Sequence, residues 1–124
     1  MNDLCRLPDA ELEVMQALWH IDAYPAHTGD IAARLHKDWK APTLLKLLSR
    51  LEERGFVKSE KEGRANVYTP LICREDYLKA ESRSFFHRLH GGSLSSLVAA
   101  LYPDTKLTQE DIAHLEEILN QGGN

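Results

Sequence analysis

The sequence changes its hydrophobic period at Gly55, and this change constrains the fold more than any other feature. Upstream of it, leucines recur at the spacing i, i+3, i+4 and i+7, which puts them on one face of an α-helix. They are Leu44, Leu47, Leu48 and Leu51. Pro42 suits the first turn of such a helix, where a missing N–H costs nothing. Gly55 suits the position just past the end, where the backbone often turns left-handed. The sequence therefore predicts a helix that begins near Lys40 and stops at Gly55.

A β-hairpin is predicted immediately after this helix. Residues 56–61 and 67–70 are strand-like, and residues 62–66, Glu-Gly-Arg-Ala-Asn, form the turn between them. A helix, a glycine and a basic hairpin in this order are typical of a winged helix, whose helix enters a DNA groove while the hairpin lies along the backbone. Each feature alone would suit an ordinary amphipathic helix and an ordinary hairpin. Their order, with cations on both exposed surfaces, favours DNA binding.

Short hydroxyls and long cations occupy the helix face opposite the leucines, and such side chains reach phosphates or base edges. We predict that four of them enter the major groove: Thr43, Lys46, Ser49 and Arg50. We expect the hairpin to contact the DNA backbone through Lys58, Lys61 and Arg64, with Lys40 doing so at the helix start.

The distribution of charge supports this interpretation, although the net charge of −4 alone argues against a nucleic-acid partner. Residues 40–71 hold 7 Lys and Arg against 4 Asp and Glu, a net charge of +3. Residues 1–39 and 72–124 are each net negative. The basic third coincides with the helix and hairpin, and an acidic remainder limits indiscriminate DNA binding.

Two further helices and a short strand are predicted upstream. Residues 8–20 form the first helix, since its first turn carries negative charge that favours the helix dipole. That charge comes from Asp9, Glu11 and Glu13, and the core stripe from Leu12, Met15, Leu18 and Trp19. Residues 26–28 are expected to pair with the wing. The next helix, roughly residues 29–36, is expected to be capped by Thr28 or Asp30. Its core side chains are expected to be Ile31, Ala32 and Leu35.

Three amphipathic helices are predicted after the hairpin, with Leu71 expected to close the core before them. They are residues 74–90, residues 94–102, and a last helix that begins at Thr108. Ser93 is expected to cap the second of these helices, and Thr108 the third.

The apolar stripes of these helices cannot all be buried against a domain of about 70 residues. We therefore expect a winged-helix DNA-binding domain over residues 1–72 and a three-helix dimerisation domain over residues 73–124. A two-fold dimer places two recognition helices about one DNA turn apart, which matches a palindromic operator. The alternative is a monomer whose tail folds back on the head. The expected dimerisation residues are Tyr77, Phe85, Phe86, Leu89, Leu94, Leu97, Val98, Leu101, Ile112, Leu115 and Leu119.

Metal, catalytic and membrane functions have little support. His87 and His90, spaced i, i+3, could be half of a zinc site, but no ligand set accompanies them. An exposed or interface pair is favoured, and across a dimer it would make dimerisation pH-sensitive. Cys5 and Cys73 are expected as free thiols. Catalytic motifs are absent, so we expect neither an enzyme nor a cofactor. Without a signal peptide or a long apolar run, a cytoplasmic location is expected.

Four blocks of the chain resemble the BlaI/MecI, or penicillinase repressor, family of transcriptional repressors. They are residues 9–15 with Leu18-Trp19, Thr43 with residues 47–51 and 54–57, residues 91–93 with 96–98, and residues 110–119. Together they cover nearly the whole chain, and their order and spacing are more specific than any single block.

The resemblance implies a winged-helix head, a dimerisation tail and repression by operator binding, commonly upstream of β-lactam-resistance genes and a membrane sensor-protease. In the well-known members, signalling by that protease leads to cleavage in the tail helix after the Gly-Gly-Ser turn. The corresponding bond is Ala100–Leu101, where this sequence departs from their Asn-Phe. The recognition helix also departs, at Pro42, Leu44 and Leu45, so the operator sequence is not carried over. Two alternatives stay open: a protein-binding winged helix, and a repressor that answers a small ligand.

Overall fold

The computed structural model describes residues 6–101 and 107–122, in which six helices accompany a small sheet. The elements are α1 (Asp9–Trp19), β1 (Ala26–His27), α2 (Thr28–Ala32), α3 (Ala41–Glu53), β2 (Val57–Glu62), β3 (Ala65–Pro70), α4 (Arg74–His90), α5 (Leu94–Leu101) and α6 (Gln109–Gly122). The chain forms two compact units, Met1–Arg83 and Ser84–Asn124. The expected mainly helical winged helix-turn-helix, with a small antiparallel sheet and three helices after it, is therefore confirmed. None of the described helices is long and apolar enough to span a membrane.

The core of the first unit joins the apolar faces of α1 and α3 to the sheet. In α3, the predicted stripe is confirmed, because Leu44, Leu48 and Leu51 are buried and Leu47 packs against the core from its edge. The remaining buried side chains include Val14, Met15, Leu18, Ile31, Phe56 and Val57. A helix whose leucines face inward must turn its other side to solvent, and this fixes which side of α3 a partner can reach.

Tyr77 of α4 completes this core. Its hydroxyl accepts a hydrogen bond from the backbone N–H of Leu7 at 2.9 Å, and its ring lies edge-on to Phe56 at 5.7 Å between centroids. Trp19 packs on the same ring at 5.8 Å. Tyr77 was expected among the dimerisation residues, and the structure instead places it inside the first unit with 6% of its surface exposed.

The sheet is antiparallel with the strand order β1-β3-β2, so the predicted pairing of the short first strand with the hairpin is confirmed. We call the β2–β3 hairpin the wing. Its turn is shorter than the five residues expected, because Glu62 and Ala65 still pair and leave only Gly63 and Arg64 between the strands. Gly63 has a φ of 65°, and two-residue hairpins need a positive φ at their first central residue.

The end of α3 is a Schellman motif. Gly55, at φ 83°, donates its N–H to the carbonyl of Glu52 at 3.0 Å. The N–H of Phe56 reaches back to the carbonyl of Leu51 at 2.9 Å, and both of these side chains are buried. This pair of bonds with its apolar contact stops the helix and aims the chain into β2.

Two expectations about the core are wrong. α2 ends at Ala32 rather than near His36, because Arg34 and Leu35 form turn bonds to carbonyls three residues earlier, and Ala32 is exposed. Leu71 is 56% exposed, and its neighbour Ile72 packs against the core instead. The indole Nε1–H of Trp19 donates to the carbonyl of Ile72 at 2.9 Å and fixes this choice.

Of the two residues expected to cap α2, Asp30 takes part in capping, whereas Thr28 is the first residue of the helix. His27 is the residue before the helix, and its backbone N–H donates to the carboxylate of Asp30 at 3.1 Å. Asp30 therefore supports the helix start from its third position, as the acid of a capping box does.

The caps predicted in the second unit are confirmed. The N–H of Ser96 donates to Ser93 Oγ at 3.1 Å. Thr108 and Asp111 form a reciprocal box, with Thr108 Oγ1 accepting at 3.0 Å and the Asp111 carboxylate accepting at 3.1 Å. Residues 102–106, where the end of the second tail helix was predicted, lie outside the described residues, as does Cys5.

Apolar side chains of the second unit remain open to solvent. None of the α5 side chains is buried, and Phe86 and Leu97 are half-buried. The exposed members of the expected dimerisation set are Phe85, Leu89, Leu94, Val98, Leu101, Ile112, Leu115 and Leu119.

Candidate nucleic-acid interface

The exposed side of α3 carries the four side chains predicted to enter the major groove. Thr43, Lys46, Ser49 and Arg50 are all exposed. At 100° per residue, Lys46 and Ser49 lie opposite the buried leucines, with Thr43 and Arg50 along one flank. Leu45, 42% exposed, lies along the other flank. The helix thus presents hydroxyls, cations and one apolar side chain on a single outward surface.

The start of α3 favours an anion. Lys40 is the capping residue, and its carbonyl accepts the N–H of Thr43 at 3.0 Å and of Leu44 at 3.2 Å. The first turn of α3, all of which the structure describes, contains no acidic residue. The positive end of the helix dipole and the exposed Lys40 side chain therefore lie together, an arrangement suited to a phosphate.

The wing divides its cations between two faces. Since side chains alternate along a strand, Lys58 and Lys61 point to opposite sides of β2. Lys58 shares its side with Glu60, whose carboxylate is 3.8 Å from the ammonium. Lys61 shares its side with Ser59, and Arg64 lies exposed at the tip. Of the two lysines, Lys58 is the one with a carboxylate within 4 Å among the described residues.

Glu52 ties the wing to α3. Its carboxylate accepts the backbone N–H of Ser59 at 3.2 Å and the Ser59 hydroxyl at 2.9 Å. Residue spacing did not reveal this contact, because a glutamate on the flank of an exposed helix normally faces water. The hydrogen bonds from Ser59 to Glu52 therefore hold β2 in a fixed orientation relative to α3.

Glu11 fixes the far end of α3. This carboxylate is 2% exposed and accepts a hydrogen bond from Arg54 Nε at 2.6 Å. Arg54 is the C-cap of α3, and its side chain is 35% exposed. Glu11 was expected only as first-turn charge for the helix dipole. Its carboxylate instead accepts a buried hydrogen bond that links α1 to α3.

Tyr68 supports the wing from its core side. Burial raises the pKa of its phenol above the usual range, the hydrogen bond from Asn66 lowers it, and the charge of Glu52 raises it. The phenol therefore stays neutral at physiological pH, and its function here is packing.

His90 and Cys73 lie outside α3 and the wing in the sequence, and neither takes part in a metal-type cluster within the described ranges. His90 Nδ1 lies 2.8 Å from Ser96 Oγ, and its ring lies edge-on to Phe85. Cys73 is a free, exposed thiol. Within residues 6–101 and 107–122, no group of three His, Cys, Asp or Glu side chains is arranged to hold a metal ion.

Comparison with known proteins gives a consistent result. The family model described as "Penicillinase repressor" matches residues 7–121. The chain is 35% identical to the penicillinase repressor of Bacillus licheniformis, across 100% of this chain and 97% of that protein. It is 28% identical to the methicillin resistance regulatory protein MecI of Staphylococcus aureus strain N315, across 97% and 98%.

A solved structure also matches, the solution structure of monomeric Bacillus licheniformis BlaI in complex with the blaP half-operator. The identity is 35%, with 62% of this chain and 94% of that chain covered and a TM-score of 0.49.

Proposed function

The chain belongs to the penicillinase repressor family, and on that premise we propose that it is a homodimeric repressor that binds a palindromic operator. The family consists of DNA-binding transcriptional repressors and not enzymes, so this chain is a DNA-binding transcriptional repressor. Bacillus licheniformis BlaI has been solved in complex with a half-operator, and we propose that this protein also binds an operator.

One observation carries the proposal: exposed hydroxyls and cations on α3 lie opposite its buried leucines, beside a wing bonded to the same helix. Arg50 and Lys46 can donate to guanine acceptors, while Thr43 and Ser49 reach either base edges or phosphates. Lys61, Arg64 and Lys40 provide the sequence-independent phosphate contacts. Lys58 belongs to the same proposed set, with its charge partly offset by Glu60.

We assign the open apolar surface of the second unit to the dimer interface. Leu89, Leu94, Val98 and Leu101 belong to it, together with Ile112, Leu115 and Leu119 of α6. Exposed apolar side chains at helical spacing on α5 and α6, with Leu89 near the end of α4, are ones that a second copy can bury. A two-fold axis through this interface also presents two recognition helices to one duplex.

Release by proteolysis is the second part of the proposal. The Ala100–Leu101 bond lies in the last turn of α5, and both residues are exposed in the single chain. A cut there would remove α6 from α5 and so divide the proposed interface. A membrane sensor-protease system would trigger this cleavage. The regulated genes would be those of β-lactam resistance or of the cell envelope.

Selection from a random-sequence duplex pool with the full-length protein tests the proposal. We expect enrichment of an inverted repeat whose half-sites are centred about one helical turn apart. We also expect the logarithm of the affinity to fall linearly with that of the salt concentration. A pool that shows no enrichment, with no salt-dependent retention of any duplex, would contradict it and favour the protein-binding winged helix.

A further inference from the structure

A solvent-open cleft of about 460 Å³ lies in the first unit, away from the exposed side of α3. Glu13 and Gln16 of α1 form one wall, together with His20 just after the helix. Arg34 and His36 line it from the segment between α2 and α3, and Arg74 from the start of α4. The proposed DNA contacts use none of these side chains.

Glu13 brings a half-buried, negatively charged side chain to this cleft. Its Oε2 atom is buried and has no hydrogen-bond partner within the described part of the chain. A positively charged N–H donor bound in the cleft, such as an ammonium group, would be attracted to the negative charge of this carboxylate.

The other walls of the cleft carry positive charge. Arg34 and Arg74 are exposed, and neither forms an ion pair with a carboxylate in the ranges that the structure describes. Guanidinium groups bind a carboxylate through two parallel hydrogen bonds. His20 directs Nδ1 to the carbonyl of Gln16 at 2.5 Å, which orients its ring at the same cleft.

We propose that this cleft binds a small molecule that carries a carboxylate and an ammonium group close together, as a free amino acid does. Glu13 accepts from the ammonium, and Arg34 and Arg74 donate to the carboxylate. A purely anionic molecule would be repelled by the Glu13 carboxylate. A neutral molecule would leave the charges of Glu13, Arg34 and Arg74 without an oppositely charged partner.

The position of the cleft gives the occupant a regulatory role. Its lining joins α1 to the segment that leads into α3 and to the first residue of α4. A ligand that bridges them changes the free energy of the arrangement that presents α3, and so changes operator affinity. This consequence rests on the proposed repressor function, whereas the binding itself does not. Ligand binding in this cleft would correspond to the alternative of a repressor that is controlled by a small molecule.

Titration calorimetry on the full-length protein without DNA tests the site. The probes are the common amino acids, each at millimolar concentration, with acetate and ethylamine as matched half-ligands. We expect at least one amino acid to bind with millimolar affinity or tighter, and the half-ligands together to bind at least about tenfold more weakly.

Variants locate the binding. Glu13→Gln keeps the size of the side chain and removes its charge, and the double variant Arg34→Ala/Arg74→Ala removes both guanidinium groups. Each is expected to lower affinity at least about tenfold, while Arg83→Ala, an exposed arginine of α4 outside the cleft, leaves it unchanged. Circular dichroism verifies folding of each variant. No binding by any amino acid, or equal binding by the double variant, overturns the proposal, whatever the result of the operator selection.

Discussion

Glu11 and Arg54 join the first helix to the end of the recognition helix through a bond of 2.6 Å from the guanidinium Nε to the carboxylate. Only 2% of Glu11 is exposed, so the carboxylate depends on its partner in place of water. The two residues are 43 positions apart, and their contact fixes where α3 ends relative to α1.

We predict that Glu11→Ala lowers the free energy of unfolding by about 1–3 kcal/mol, the usual cost of breaking a buried hydrogen bond to a charged group. The partly exposed guanidinium can regain water, which favours the lower part of this range. Urea denaturation measures it, with Glu53→Ala on the exposed side of α3 as the control. A double-mutant cycle with Arg54→Ala should show non-additivity. Additive losses would mean that the bond does not couple the two helices.

Gly55 should resist substitution for a reason that depends on the backbone alone. A Cβ at this position meets no atom within 4 Å, but the φ of 83° is one that L residues rarely adopt. We expect Gly55→Ala to destabilise the protein by about 1 kcal/mol. Gly29→Ala is the matched control, since it also has open space, lies in α2 and has no positive φ. It should be neutral or stabilising by up to about 1 kcal/mol, and equal effects of the two changes would contradict this account.

Arg50→Ala should weaken operator binding by about 1–3 kcal/mol and relax the base preference at one position of each half-site. The reason is that a guanidinium in the major groove reads guanine through two hydrogen bonds. Fluorescence anisotropy with the selected duplex and its single-base variants measures both effects. Arg83→Ala removes the same charge elsewhere and should change neither. An Arg50 variant with the affinity and preference of the unaltered protein would show that α3 docks in another orientation.

Lys61→Ala should weaken binding to operator and unrelated duplexes alike. It should also reduce the slope of affinity against salt by about 1, because one phosphate contact is lost. Titrations over a series of salt concentrations give the slope, with Lys79→Ala as the equal charge change on α4. A loss confined to the operator would instead make Lys61 a base-reading residue.

Leu115→Asp should shift the protein from dimer to monomer. The side chain is 45% exposed in the single chain, so the change should leave the monomer folded. Burial of a leucine contributes about 1.5–3 kcal/mol, and each of the two copies would lose that contribution. Sedimentation equilibrium gives the dissociation constant, with Glu116→Gln as the control on the same helix. A Leu115→Asp protein that still dimerises as tightly would place the interface elsewhere.

The recognition helix and wing could be predicted from the sequence because their determinants are local. The period of 3.6 in Leu44, Leu48 and Leu51, the glycine at the end and the alternation that follows are all set by near neighbours. The same is true of the caps at Ser93 and Thr108.

Other features depend on contacts between distant residues, which no short window contains. Glu11 in a first helical turn normally faces solvent, and only the three-dimensional position of Arg54 explains its burial. The choice of Ile72 over Leu71 depends on the Trp19 indole bond, 53 positions away. Glu52 and Ser59 are close in sequence, but their bond requires the turn at Gly55 to bring β2 back beside α3.

Backbone amide NMR shifts of the isotope-labelled full-length protein, followed during titration with the selected operator, test the central claim most directly. We expect the largest changes at residues 40–54 and 57–66, with the exposed acidic side of α6 unaffected. Changes concentrated outside α3 and the wing, or none at saturating duplex, would contradict the assignment of this surface to DNA.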